Sequence, residues 1–210
     1  MDNDIISLFT EQATILKIQD RLPKLFQLAE IESQRAGRTG MEVGSIRERI
    51  IVSLLIYKFG EKNVETELPI TEPEIDVKLF GKPISIKTKT GKNLSGVKIS
   101  WTVEEKSAHI FKDKYLPSCD MIFVQIDWNK TGNLFYFSKE LQIEIFNLLG
   151  RENYIKLPPL GTNPRGVEIS SKALSQLIKH TETKKILIDW KKEDIKFNAF
   201  KRWTELWAQE

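Results

Sequence analysis

Between Glu72 and Thr90 the chain runs EPEIDVKLFGKPISIKTKT, two alternating segments joined at a glycine. Successive strand side chains point to opposite faces, so this alternation makes one aliphatic and one polar face. Gly81 and Lys82 as the central residues of a two-residue type II′ turn predict a β-hairpin. That register sets Leu79 opposite Ile84, Val77 opposite Ile86, Lys78 opposite Ser85 and Asp76 opposite Lys87. The aliphatic face demands a covering layer, and the polar face carries a carboxylate across from an ammonium. Taken alone, the pair reads first as a surface ion pair worth under about 1 kcal/mol. A chemical site is the second reading.

The acid, any residue, lysine spacing is uninformative by itself. It occurs at Asp76–Lys78 and again at Glu104–Lys106, Glu182–Lys184 and Asp189–Lys191, and the chain has no Pro-Asp dipeptide. The upstream segment carries more. Ser45 to Phe59 reads as a helix that stops at Gly60. Ile46, Ile50, Ile51, Leu54, Leu55, Ile56 and Phe59 leave it little polar surface, which predicts burial against a sheet. Glu48 lies in its first turns, where it fits either a capping box with Ser45 or a carboxylate that joins Asp76 around a cation.

The pair GMEVGSIRERI and EIDVKLFGKPISIKTKTG resembles the ThaI type of restriction endonuclease, within the PD-(D/E)xK nuclease superfamily. The similarity is close from about Ser33 to Gly96. It implies an α/β fold, a mixed sheet flanked by helices, with an active site of helix glutamate, strand aspartate and strand lysine. These fall on Glu48, Asp76 and Lys87. Position 85 is serine, where an ordinary PD-(D/E)xK site has an acid; in this family the helix glutamate substitutes for it.

Such chemistry suits a hard cation, Mg²⁺, which takes oxygen ligands and binds through one or two carboxylates plus substrate phosphate. Glu48, Asp76 and the carbonyl of Ile86 are the expected protein ligands. The metal would offset transition-state charge and lower the pKa of a bound water, while Lys87 orients that water or contacts the phosphate. Glu74 is a reserve ligand on the same face; a solvated strand residue is its plainer reading.

Double-stranded DNA is the expected substrate. Arg35 and Arg38 sit in a basic, glycine-rich segment ahead of the helix and can reach phosphates or base edges. Met41 fits a hydrophobic staple near the helix entrance; the resemblance implies instead a wedge inserted into a CG step by each subunit of a homodimer. Lys89, Thr90, Lys92 and Asn93 belong to a donor-rich loop that leaves the lysine strand, and Asn163 to Gly166 is a weaker candidate. The resemblance further implies recognition of CGCG, blunt cleavage and a separately encoded methyltransferase partner. A structure-selective repair or recombination nuclease and a non-catalytic DNA-binding module are the alternatives.

A length of 210 residues and a net charge of +3 fit a single domain and neither require nor oppose nucleic-acid binding. We expect residues 1–34 to form an N-terminal helical segment, 35–137 the catalytic core, and 138–210 further helices and strands. One cysteine, Cys119, excludes an internal disulfide, and His109 and His180 alone make a zinc cluster poorly supported. With no membrane-length apolar run or signal peptide, a cytoplasmic protein is expected.

Elsewhere, Asp4 to Ser33 reads as helical stretches interrupted near Pro23, with Ile5, Leu8, Phe9, Ile15 and Leu16 on an apolar face. Met121 to Trp128 reads as the central strand, Leu134 to Phe137 as its partner, and Ser138 as the cap of a helix through Leu149. A strand at Val167–Ile169, a helix at Ser171–His180, a strand at Lys185–Trp190 and a terminal helix at Phe197–Ala208 complete the expected elements. In the last, Trp203 and Trp207 suggest core or dimer packing rather than base stacking.

Overall fold

The computed structural model describes residues 4–35, 38–39, 42–68, 74–100, 104–158, 166–198 and 200–209. Met41 and Asn163 to Arg165 lie outside them. Two helices open the chain, α1 (Ser7–Thr10) and α2 (Gln12–Glu32). A two-residue ribbon follows, β1 (Gln34–Arg35) with β2 (Arg38–Thr39), and then α3 (Val43–Phe59). Next come β3 (Val64–Glu65), β4 (Val77–Leu79), β5 (Lys82–Thr90) and β6 (Val97–Ser100). Helix α4 (Glu105–Lys114) leads to β7 (Asp120–Ile126) and β8 (Thr131–Phe137). The remainder is α5 (Lys139–Leu149), α6 (Arg151–Tyr154), β9 (Ile155–Lys156), β10 (Val167–Ile169), α7 (Ser171–Lys179), β11 (Lys184–Asp189) and α8 (Lys201–Trp207).

The main sheet has six strands in the order β11-β8-β7-β5-β4-β3, and β5–β7 is its parallel pair. Period-two alternation divides it cleanly. Ile84, Ile86, Ile122, Val124 and Ile126 face α2 and α3, packing with Phe26, Ile51 and Leu55. Met121, Phe123, Phe135 and Phe137 face the other way, toward α5, α7 and the small sheet β6-β10-β9. Both faces are thus covered, as a strand buried on both sides requires. Among the described residues no helix is long and apolar enough to cross a membrane.

Several elements follow expectation closely. Strand β10 has the expected bounds, and the Ser138 hydroxyl caps α5, accepting the Leu141 amide at 3.2 Å. Others differ. Pro23 lies inside the continuous helix α2 instead of interrupting it. A mid-helix proline costs about 3 kcal/mol, and here Ile18, Leu22 and Phe26 bury around it into the core. Leu16, expected on the apolar face, is exposed. Helix α3 starts at Val43 with Glu42 as its N-cap and no side-chain capping bond, so Ser45 lies within the helix and forms no capping box. Its buried stripe is narrower than expected: Arg47, Ile51 and Leu55, one per turn. Helix α8 has no buried residue, so Trp203 and Trp207 do not pack in this chain's core.

The hairpin forms, but two residues out of the expected register. Val77 pairs with Ile84, Lys78 with Pro83 and Leu79 with Lys82, around a turn at Phe80 and Gly81 with φ of 50° and 75°. Positive φ at both central residues is type I′ geometry. Proline explains the choice. In the expected register Pro83 closes the turn and must donate an amide hydrogen it lacks; in the observed one Lys82 takes that place. A shift of two preserves the faces, so the aliphatic side stays aliphatic.

Candidate active site

The hairpin's polar face ends at Asp76. Its amide donates to the Ile84 carbonyl at 3.0 Å, and there the regular pairing of β4 with β5 stops. The side chain takes over. Oδ2 of Asp76 accepts the Ile86 amide at 2.6 Å, the Lys87 ammonium at 3.0 Å and the Ser85 hydroxyl at 3.3 Å. The observed register ends at Val77 and Ile84, so Asp76 lies beyond the paired strand and meets Lys87 through its side chain rather than as a cross-strand partner. Three donors on one oxygen hold the carboxylate in a single orientation, and Oδ1 accepts none among the described residues. Strand geometry adds one more group. The N–H and C=O of a strand residue point the same way, so the Ile86 carbonyl faces the edge where its amide meets Asp76.

Glu48 reaches this edge from the N-terminal part of α3, the helix covering the opposite face. Its carboxyl pKa is pushed up from 4.5 to about 7, first by burial and then by the Asp76 charge, with Lys87 opposing. The three residues therefore share one electrostatic site. Glu48 and Asp76 repel, and a cation between them would relieve that repulsion.

Glu74 is not the solvated strand residue of its plainer sequence reading. It is buried, accepting the Tyr115 hydroxyl and the Ser118 hydroxyl, each at 2.7 Å. Burial raises its pKa, against the pull of those two bonds and of Lys87. Those partners lie 41 and 44 residues downstream, in the α4–β7 connection, beyond the reach of local alternation. Cys119 beside them is buried and its thiol is pushed up to about 12, an inert group.

Behind Glu48 lies a buried ion pair. Arg47 donates to Glu30 at 2.5 Å and to the Thr90 hydroxyl at 3.2 Å. Glu30 also accepts the Trp128 indole at 2.7 Å and pairs with Lys192 at 3.3 Å. This cluster ties α2, α3 and the end of β5 together one residue from Glu48. The sequence offered a signal: Arg47 shares its helical stripe with Ile51 and Leu55, and an arginine there must find a buried partner.

The candidate DNA-contacting residues are spread more widely. Arg35 and Arg38 occupy opposed positions in the β1–β2 ribbon just ahead of α3. Thr90 ends β5, and its hydroxyl is engaged by Arg47. Beyond it the loop is pinned at both ends, by the Gly91 amide on Ile126 at 2.7 Å and the Gly96 amide on Glu168 at 3.1 Å. Lys92 and Asn93 are exposed near its tip, while Lys89 is half-buried. Asn93 Oδ1 accepts the Ser95 amide at 2.9 Å, a local Asx turn.

Among the described residues no three His, Cys, Asp or Glu side chains form a metal cage. Two carboxylates and a carbonyl suit a cation that keeps waters and shares substrate phosphate, rather than one held wholly by protein.

The family model for restriction endonuclease ThaI matches residues 8–209. No curated protein matches. A solved structure described as a restriction endonuclease in complex with substrate DNA is 58% identical, covers 96% of this chain and 97% of its own, and superposes with a TM-score of 0.90. With a mixed six-stranded sheet flanked by helices and a match that spans nearly its whole length, the chain belongs to the ThaI restriction endonuclease family.

Proposed function

We propose that this protein is a Mg²⁺-dependent type II restriction endonuclease whose catalytic residues are Glu48, Asp76 and Lys87. The observation that supports it is the convergence of the three on one sheet edge, with Asp76 fixed by three donors and Glu48 raised beside it. Glu48, Asp76 and the Ile86 carbonyl would hold the ion. When bound, Mg²⁺ supplies charge neutralisation at the scissile phosphate and a water of lowered pKa.

The chain's own groups do the rest. The Ile86 amide and Ser85 hydroxyl keep the Asp76 carboxylate from turning, so the site costs little reorganisation. Lys87 shares that carboxylate and offers its other ammonium hydrogens to the attacking water or the phosphate oxygen. Glu74, held by Tyr115 and Ser118, fixes a second carboxyl group near the lysine.

The substrate is double-stranded DNA carrying a short palindrome, CGCG in our reading, cut to blunt ends by a homodimer, one strand per subunit. Met41 enters a CG step as a wedge; Arg35, Arg38, Lys89, Thr90, Lys92 and Asn93 contact DNA around it. The enzyme acts in the cytoplasm beside a separately encoded methyltransferase. Residues 1–210 work as one domain, an N-terminal helical segment to 34, a catalytic core to 137 and the remainder as scaffold.

Digestion of unmethylated plasmid in Mg²⁺ and in EDTA, with the ends sequenced, tests this proposal. Blunt ends centred on CGCG, in Mg²⁺ only, are expected. Discrete ends elsewhere would remove the CGCG assignment, and intact DNA in both tubes despite binding would overturn the nuclease.

A further inference from the structure

The buried ion pair behind Glu48 reaches beyond the helices, to the root of the loop that follows β5. Arg47 is 5% exposed. One of its terminal nitrogens donates to Glu30 on α2, the other to the Thr90 hydroxyl at 3.2 Å. Its guanidinium also lies 5.6 Å from the centre of the Phe26 ring. Stability is a weak reason to keep an arginine here. Its stripe neighbours are Ile51 and Leu55, and its Nε has no partner among the described residues. Apolar side chains of similar volume often replace buried ion pairs at no cost.

Thr90 is the exposed end of this contact. Strand alternation puts its side chain on the face of Ile84 and Ile86, toward α3, and not on that of Lys87 and Lys89. A threonine hydroxyl has one hydrogen and two lone pairs. Arg47 takes one lone pair, and the hydrogen has no acceptor among the described residues. Charge here favours an anion. Arg47 and Lys192 are two cations against the one carboxylate of Glu30, which leaves one positive charge in excess beside Thr90. A hydroxyl with a cation behind its oxygen is a stronger donor.

We propose that Arg47 is a positioning residue that couples a DNA phosphate held by the Thr90 hydroxyl to the placement of Glu48. The inference rests on the nuclease reading above and deepens it. The candidate metal ligands come from two elements, Glu48 from α3 and Asp76 with the Ile86 carbonyl from the hairpin. Their separation depends on how α3 lies along β5. Apolar contacts such as those of Ile51 and Leu55 are non-directional. The Arg47–Thr90 bond is directional, one residue from Glu48 and three from Lys87. Threonine is β-branched and stiff at χ1, so a phosphate that fixes its hydroxyl also fixes the oxygen Arg47 holds. DNA seated on the root of the loop thereby sets the helix that carries Glu48.

Single-turnover cutting at saturating enzyme in Mg²⁺, paired with duplex binding in Ca²⁺, tests it on the full chain. The variants are Thr90→Val, Thr90→Ser, Arg47→Lys and the pair Arg47→Lys with Thr90→Val. Valine keeps the shape of threonine without its hydroxyl and leaves Glu30 and Arg47 paired; thermal melts will show that each variant folds. Losing one phosphate contact weakens binding by about tenfold. The proposal expects the saturated rate of Thr90→Val to fall further, by about a hundredfold, the cost of roughly an ångström of misplacement. Thr90→Ser should restore most of it. Lysine cannot serve Glu30 and Thr90 together, so Arg47→Lys should slow cutting similarly, and the pair should lose no more than either change alone. Weakened binding with an unchanged saturated rate in Thr90→Val would reveal a phosphate contact without coupling and overturn the proposal. Equal rate losses in Thr90→Val and Thr90→Ser, or additive losses in the pair, overturn it too. A wild type that binds duplex and cuts nothing overturns the nuclease reading, and this inference with it.

Discussion

Asp76 and Lys87 meet at 3.0 Å just past the last strand pair of the hairpin, Val77 with Ile84, where the Asp76 amide still donates to the Ile84 carbonyl. The contact is made by side chains alone, and the oxygen that receives the lysine also receives the Ile86 amide. Strand β4 ends where this happens, so a side chain stands in for the missing backbone partner. A carboxylate built this way is part of the sheet's hydrogen bonding and of the candidate site at once.

The first prediction concerns acidity. In the metal-free protein Glu48 holds its proton up to about pH 7, whereas the unfolded chain releases it near 4.5. Between those values the folded state binds the extra proton, so Glu48 makes stability fall as pH rises through that window. The loss is about 2–3 kcal/mol. Urea denaturation in EDTA from pH 4.5 to 8 should show a slope that Glu48→Gln flattens; Glu74, shifted in the same direction, supplies the remainder. An unchanged slope in the variant would place the proton elsewhere.

A second prediction concerns the pair behind it. Arg47→Met leaves Glu30 buried with the Trp128 indole and Lys192 alone. Breaking one side of a buried ion pair costs about 3–5 kcal/mol, and the surviving lysine contact favours the lower end. Combining Arg47→Met with Glu30→Gln should recover part of the loss, a coupling read by a double-mutant cycle in urea. Strictly additive costs would show that the pair does not act as a unit.

Much of this fold is written locally in the sequence. The β5, β7 and β8 strands and the end of α3 at Gly60 are local features, written in alternation, apolar density and a terminating glycine. The candidate site residues Glu48, Asp76 and Lys87 rest on a family resemblance, since their spacing alone also fits a cap and a surface ion pair. The hairpin register differs from the alternation-based one because a glycine-containing turn admits two frames, and only the missing amide of Pro83 separates them. The continuity of α2 through Pro23, the burial of Glu74 and the Glu30–Arg47 pair depend on partners far along the chain, which local periodicity cannot reveal.

A third prediction tests the packing beneath β8. A Cβ on Gly132 would lie 2.2 Å from the Gln125 carbonyl oxygen and 2.5 Å from Nε1 of Trp190, a fully buried side chain. Neither neighbour can yield cheaply, so Gly132→Ala should cost about 2–3 kcal/mol, the penalty of an overpacked core. Equilibrium urea melts will show it; wild-type stability would mean that the strand shifts at no cost.

The central claim is that Glu48, Asp76 and Lys87 carry out the cleavage. Single-turnover cutting of a CGCG duplex in Mg²⁺, by wild type and by Glu48→Gln, Asp76→Asn and Lys87→Ala, tests it most directly when paired with duplex binding in Ca²⁺. We predict that each variant cuts at least about a thousandfold more slowly, a loss of roughly 4 kcal/mol of transition-state stabilisation, while Lys87→Ala binds within tenfold of wild type. Wild-type cutting by any one of the three would contradict the assignment.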